Sequence, residues 1–225
     1  IGKNTYKGKS NLQLTLAYVI ESEGEVPKVF NGKIIDERGR DINLLVEKYR
    51  QALFFYEGLT SKCPLPFAVD RFDLKETENL VLLSTPSNTE VFREIIALSN
   101  PRNIILNFSV LPDYSFKGFV TNLLGLIKYI VSKEKGMAYI ESIAIKLGVE
   151  ESIVKSGLKF LKAAGKIDYI LSEDEVMVFL SKGSGMTDNS MFLAEKRLRN
   201  ALMEKNAYQQ FILKTEPENF REYLK

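Results

Sequence analysis

Residues 79–108 read NLVLLSTPSNTEVFREIIALSNPRNIILNF. An apolar run, Asn79–Thr85, is followed by Pro86 and then by a segment with Val91, Ile95 and Leu98 on one helical face. Ser87 or Asn88 supplies the N-cap. A second apolar run, Asn103–Val110, closes the unit. Apolar strands joined by an amphipathic helix argue for a mostly parallel sheet covered by helices. Working upstream, "PFAVD" and "LFFYEG" read as further short strands, and "KIIDERG" as a strand running into a turn. "DINLLVEKYRQAL" has Ile42, Leu45, Val46, Tyr49 and Leu53 at helical spacing, with Asp41 as N-cap. Residues 26–113 are therefore predicted to form a small, open, mostly parallel α/β domain.

Downstream the character changes. Phe119, Leu123, Leu126, Ile127 and Ile130 share the face of one helix. Ile140, Ile143, Ala144 and Leu147 mark a second, and Gly148 and Val149 a tight turn. A third helix carries Ile153, Val154, Leu158 and Leu161 and is closed by Gly165. Two strands, Ile167–Leu171 and Val176–Leu180, flank an acidic turn. Helix, helix, turn, helix and hairpin form the winged-helix plan, predicted over 114–182. Residues 183–225 read as a C-terminal helical segment: a charged helix over 189–206, a β-prone run "YQQFIL", and a terminal helix with Phe220 and Leu224 as apolar contacts.

At the other end, Leu12, Leu14 and Leu16 alternate with polar residues, so 9–20 reads as a half-buried strand. "GKNTYKGKS" has five residues between Gly2 and Gly8, one too many for a phosphate loop, and a strand follows rather than a helix. It reads better as a basic hairpin turn.

Composition removes whole classes of chemistry. The 225 residues contain no histidine, which excludes His-dependent triads, His-ligated zinc and imidazole acid–base steps within this chain. Cys63 is the one cysteine, and its neighbours Pro64, Leu65, Pro66 and Phe67 mark it as a buried structural thiol. Asp36, Glu37, Asp41, Asp70 and Asp73 are acids with Mg²⁺-ligand chemistry, but their spacing fits solvated loop positions better. No apolar stretch reaches the roughly 18 residues of a membrane span, no signal peptide is expected, and the chain reads as cytoplasmic.

The net charge of +2 gives no bulk signal for nucleic acid. Its distribution does. Lys3, Lys7 and Lys9 precede the first acid, Glu21. Lys155, Lys159, Lys162 and Lys166 lie along one face of the third helix. They offer phosphate contacts. Glu150, Glu151 and the acidic turn Glu173–Glu175 oppose them, and 111–187 contains no arginine for base-edge readout.

The order of these pieces resembles the C-terminal region of RecJ, the single-stranded-DNA-specific 5′→3′ exonuclease, in its low-GC Gram-positive form. "NTYKGKSNLQLTL" resembles the last segment of that family's oligonucleotide-binding fold, so residues 1–25 are expected to be its remnant. "VFNGKIIDERG", the 79–108 unit, "FLAEKRLRNALMEKNAYQQFI" and "ENFREYL" are similar to successive later pieces. The resemblance implies a metal-dependent nuclease whose catalytic Asp-His-His core, with its Mn²⁺ or Mg²⁺, lies outside this chain. The chain begins with Ile1, as expected of an excised or processed product. No catalytic residue, metal ligand or cofactor is expected here.

What remains is accessory. Tyr6 would stack a base while Lys3, Lys7 and Lys9 hold phosphates. Lys196, Arg197 and Arg199 would rim a pocket for the acidic, aromatic-ended tail of single-stranded-DNA-binding protein. Two alternatives stay open. One is a protein–protein scaffold with no DNA contact. The other is an independent α/β enzyme with a winged-helix regulator, which would need convergent acids at the strand ends.

Overall fold

The structure, a computed structural model, describes residues 2–6, 9–13, 30–181, 183 and 188–224. The first described elements are β1 (Gly2–Tyr6) and β2 (Lys9–Gln13), paired antiparallel with Tyr6 opposite Lys9. The basic hairpin read from the sequence therefore has two strands. Residues 14–20 of the predicted strand lie outside the described residues, as do Lys7 and 21–29.

The parallel sheet contains β3 (Lys33–Asp36), β4 (Leu53–Phe55), β5 (Asn79–Leu82) and β6 (Asn103–Leu106), in the order β3-β6-β5-β4. Its central strands are apolar because both faces are covered. Alternation decides which residue goes where. Leu53, Phe55, Leu80, Leu82, Ile104 and Leu106 pack on one side, and Phe54, Val81, Leu83 and Ile105 on the other. The first side is covered by α2 (Thr89–Ser99), whose N-cap Asn88 accepts from the Val91 amide. The second is covered by α1 (Ile42–Lys48), capped by Asp41, and by the chain around Leu65.

Two expectations need correction here. The first helix stops at Lys48, because Leu53 is needed in β4. "PFAVD" forms only an isolated bridge, Phe55 to Val69, since Pro64 and Pro66 cannot donate to a ladder.

The second unit packs α3 (Phe116–Lys133), α4 (Ile140–Leu147) and α5 (Glu151–Ala163) around one core with β8 (Ile167–Ser172) and β9 (Glu175–Leu180). Gly157 lets α3 and α5 approach: a Cβ there would lie 2.5 Å from Leu123 Cδ2. A third strand, β7 (Met137–Tyr139), was not legible and pairs with β9, giving the antiparallel order β7-β9-β8. Gly136 (φ 85°) admits it, because a Cβ would sit 2.6 Å from the Val178 carbonyl oxygen.

The C-terminal segment departs furthest from expectation. α6 runs from Asp188 to Lys214, so "YQQFIL" is helical rather than extended. Leu198 and Leu202 enter the core of the second unit, while Ile212 enters the sheet core. One helix of about 40 Å thus straps the two units together. A last short helix, α7 (Phe220–Tyr223), buries Phe220 and the following Leu224 against α2, as the sequence indicated.

Candidate functional site

In open α/β sheets ligands are received at the carboxyl ends of the strands. Here that edge faces the second unit. Asn107, just past β6, donates to the carbonyls of Glu37 (3.1 Å) and Arg40 (3.2 Å) and ties the β3 end shut. Glu57, just past β4, is buried, and its amide donates to Ser84 Oγ at 2.9 Å. Its carboxylate receives Arg71 Nε at 2.6 Å and Arg71 Nη2 at 2.8 Å. Gly148, in the turn between α4 and α5, lies against the same strand end: a Cβ would stand 3.2 Å from the Glu57 carbonyl oxygen. The Tyr114 hydroxyl donates to the Gly148 carbonyl at 2.5 Å.

Lys205 of α6 completes the junction. It is 3% exposed, and its ammonium donates to the carbonyls of Ser87 (2.7 Å) and Pro86 (3.2 Å). Tyr114 and Tyr208 present their rings at 5.1 and 5.2 Å from Nζ. Burial pulls the Lys205 ammonium down to about 7, against the opposing pull of Glu150 and Glu57. Burial also pushes Tyr208 up to about 12 and Tyr114 higher still. For Glu57, burial raises the carboxyl against the pull of Arg71.

Lys205 sits between Glu204 and Asn206, so its local sequence reads as a solvated helix face. One signal marked it. Leu198, Leu202, Lys205, Gln209 and Ile212 recur at helical spacing as the buried stripe of α6.

Beside the junction, a cavity of about 350 Å³ opens between Tyr56, Cys63, Leu65, Asp70, Ile145 and Lys146. Asp70 caps the turn at Phe72 and pairs with Lys146 at 3.3 Å. The Cys63 thiol is half-buried rather than buried, bonds to the Leu65 carbonyl at 3.2 Å, and is pushed up by burial. Asp73 is exposed at the same cavity, and the remaining three acids considered as cation ligands are engaged locally. Asp36 pairs with Arg38 at 2.5 Å. Asp41 accepts from the Asn43 amide at 2.8 Å. Glu37 is not solvated, as its loop position suggested, but buried beneath Lys48 and Arg40. Among the described residues, no three metal-ligating side chains converge.

The four lysines of the third helix divide into two pairs. Lys155 bonds to Glu151 at 3.0 Å and Lys162 to Asp168 at 2.6 Å. The second bond raises the Lys162 ammonium and lowers the Asp168 carboxyl. Lys159 and Lys166 are exposed and make no ion pair among the described residues. Lys166 lies past the end of α5, beyond Gly165, so it prolongs the lysine row into the turn. Lys3, Tyr6 and Lys9 fall on the β1–β2 hairpin, with Lys3 opposite Leu12; Lys7 lies outside the described residues.

On α6, Lys196 and Arg197 are exposed. Arg199 is not a free rim residue: its guanidinium stacks 3.8 Å over Phe116 and bonds to Glu195 at 2.7 Å. Phe192, Lys196 and Met203 form an exposed stripe at spacings of four and seven.

Among the described residues, no helix is long and apolar enough to cross a membrane. No family model, curated protein or solved structure matches the chain.

Proposed function

We propose that this chain is a non-catalytic accessory region of a RecJ-like 5′→3′ single-stranded-DNA exonuclease, working in the cytoplasm in DNA repair and recombination. Residues 114–182 are then a winged helix with β8–β9 as wing, and residues 1–25 the end of an oligonucleotide-binding fold. The observation that carries the reading is the strand edge plugged past β5 and β6, with the cavity at Tyr56 lying beside the plug. Tyr114, Gly148 and Lys205 fill the place where an α/β enzyme would receive its substrate, which supports positioning rather than catalysis. The third reading, an independent α/β enzyme, loses support for the same reason.

Within this role, contact with single-stranded DNA rests on the hairpin residues Lys3, Tyr6, Lys7 and Lys9 and on Lys159 and Lys166. Docking a partner such as single-stranded-DNA-binding protein rests on the exposed Phe192–Lys196–Met203 stripe, an apolar surface with a basic centre suited to an acidic, aromatic-ended tail. The pairing of Lys155 and Lys162 with acids of this chain favours docking over groove binding.

The test measures three things on the 225-residue chain: Mn²⁺-dependent cleavage of single-stranded DNA, and anisotropy of a labelled oligonucleotide and of a labelled acidic, aromatic-ended peptide. Absent cleavage with saturable binding of either probe is expected. Metal-dependent cleavage overturns the non-catalytic reading, and failure of both probes overturns the accessory one. Oligonucleotide binding that weakens with salt assigns the role to DNA; peptide binding that disappears in Lys196→Glu assigns it to docking.

A further inference from the structure

The sheet β7-β9-β8 buries one face in the second unit and leaves the other open. On the open face Met137, Met177 and Ile170 stand in one row across the strands, set by the pairings Met137 with Met177 and Met177 with Ile170. The next row toward the hairpin turn is Tyr139, Glu175 and Ser172; the row away from it places Phe179 beside Asp168. Met137, Tyr139, Ile170, Met177 and Phe179 are between 36 and 63% exposed. Five large apolar side chains on one small sheet face form a contiguous patch, unlike scattered surface apolars.

The two ends of this face carry opposite charge. At the turn end stand Glu173, Asp174 and Glu175, the last bonded to the Tyr139 hydroxyl. At the open end stand Lys133 and Lys135, which precede β7 and flank Glu134, and Lys166, which precedes β8. Lys133, Lys135, Lys166, Glu173 and Asp174 are all exposed. They make no ion pair among the described residues. A face that is acidic at one end, apolar in the middle and basic at the other complements itself when one copy is reversed.

We propose that this face is the interface of a two-fold symmetric homodimer. The axis runs along the Met137–Met177–Ile170 row. Rotation about it turns one sheet onto the other, stacks that row on its own copy and lays the acidic turn of each protomer over the partner's basic end. The contact is isologous, and it closes. Stacked sheets lie about 10 Å apart with side chains interdigitated, which suits the long, adaptable Met137 and Met177. Three strands are only about 15 Å wide. The contact therefore falls below the roughly 800 Å² per partner of a standard stable interface, and the dimer is reversible, populated as concentration rises.

The experiment is sedimentation velocity of the 225-residue chain from low micromolar concentration upward, at low and high salt. Wild type is expected to show a monomer–dimer equilibrium that weakens with salt. Met177→Asp should stay monomeric, while Phe72→Asp, an exposed aromatic of the other unit, should dimerise like wild type. The opposite charges of the two ends have their own readout. Glu173→Lys with Asp174→Lys makes both ends basic, and Lys133→Glu with Lys135→Glu makes both ends acidic. Each double variant alone should be monomeric, and their mixture should dimerise. All altered side chains are exposed, so unchanged circular dichroism and melting show that the variants fold. Wild type monomeric at every concentration overturns the proposal. So does dimerisation that survives Met177→Asp, or a mixture that associates no better than its components.

Discussion

The ammonium of Lys205 lies 2.7 Å from the carbonyl oxygen of Ser87, with almost none of its surface open to water. A residue of α6 thereby satisfies a carbonyl at the entry to α2. Its titration should be visible in stability. The ordinary value of 10.5 applies unfolded, against about 7 folded. Between those values the unfolded chain holds a proton that the folded chain does not, so stability rises with pH from about 7 toward 10.5. Below about 7 this contribution is flat, and the buried charge weighs against folding. In Lys205→Met the rise should vanish, because the side chain no longer titrates. Urea unfolding at a series of pH values checks it; an unchanged slope in the variant would place the effect elsewhere.

Glu57 and Arg71 form a buried charge pair at the same edge, with two short bonds. Removing one partner leaves an uncompensated charge where water cannot reach. Arg71→Met should cost about 3–5 kcal/mol. Replacing both, Glu57→Leu with Arg71→Met, should recover much of that loss, since the desolvation of both charges is removed with the pair. A double-mutant cycle by denaturant unfolding measures the coupling.

Gly148 ends α4 in the left-handed region at φ 64° and touches the sheet unit at the same time. A Cβ would meet Pro112 Cγ at 3.0 Å, the Glu57 carbonyl at 3.2 Å and the Tyr114 hydroxyl at 3.3 Å. Gly148→Ala should therefore cost more than the ~1 kcal/mol of an αL residue alone. The excess should fall on the contact between the units. Amide exchange near Glu57 and Tyr114 should accelerate more than exchange inside α3.

The parallel sheet was legible because its strands are buried on both faces, and burial on both faces writes itself as runs such as Leu80–Leu83 and Ile104–Leu106. The helix caps Asp41 and Asn88 were legible for a local reason, a side-chain oxygen next to free amides. β7 was not legible: three residues carry no period, and its strand character comes from pairing with Met177. The end of α6 misled through local propensity, since Tyr208–Leu213 favours strands. Burial of Ile212 in the sheet core decides for helix. Lys205 needed both facts at once, the continuous helix and the buried stripe on it. For the lysine row, helical spacing placed Lys155, Lys159 and Lys162 on one face. Only the fold showed that Asp168, six residues on in β8, takes Lys162.

That division of the lysines yields a prediction about nucleic acid. Lys155 and Lys162 already satisfy acids of their own chain, so a phosphate would have to compete with Glu151 and Asp168. Lys159 and Lys166 have no such competitor among the described residues. If the third helix contacts single-stranded DNA, Lys159→Gln with Lys166→Gln should weaken binding strongly. It should also reduce the slope of log affinity on log salt by about 1.4, at roughly 0.7 for each phosphate no longer neutralised. Lys155→Gln with Lys162→Gln removes the same formal charge and should leave that slope nearly unchanged. Anisotropy titrations with one labelled oligonucleotide across a salt series compare the two. Equal slopes in both variants would mean that net charge alone governs binding, and that the ion pairs of Glu151 and Asp168 do not hold their lysines away from phosphate.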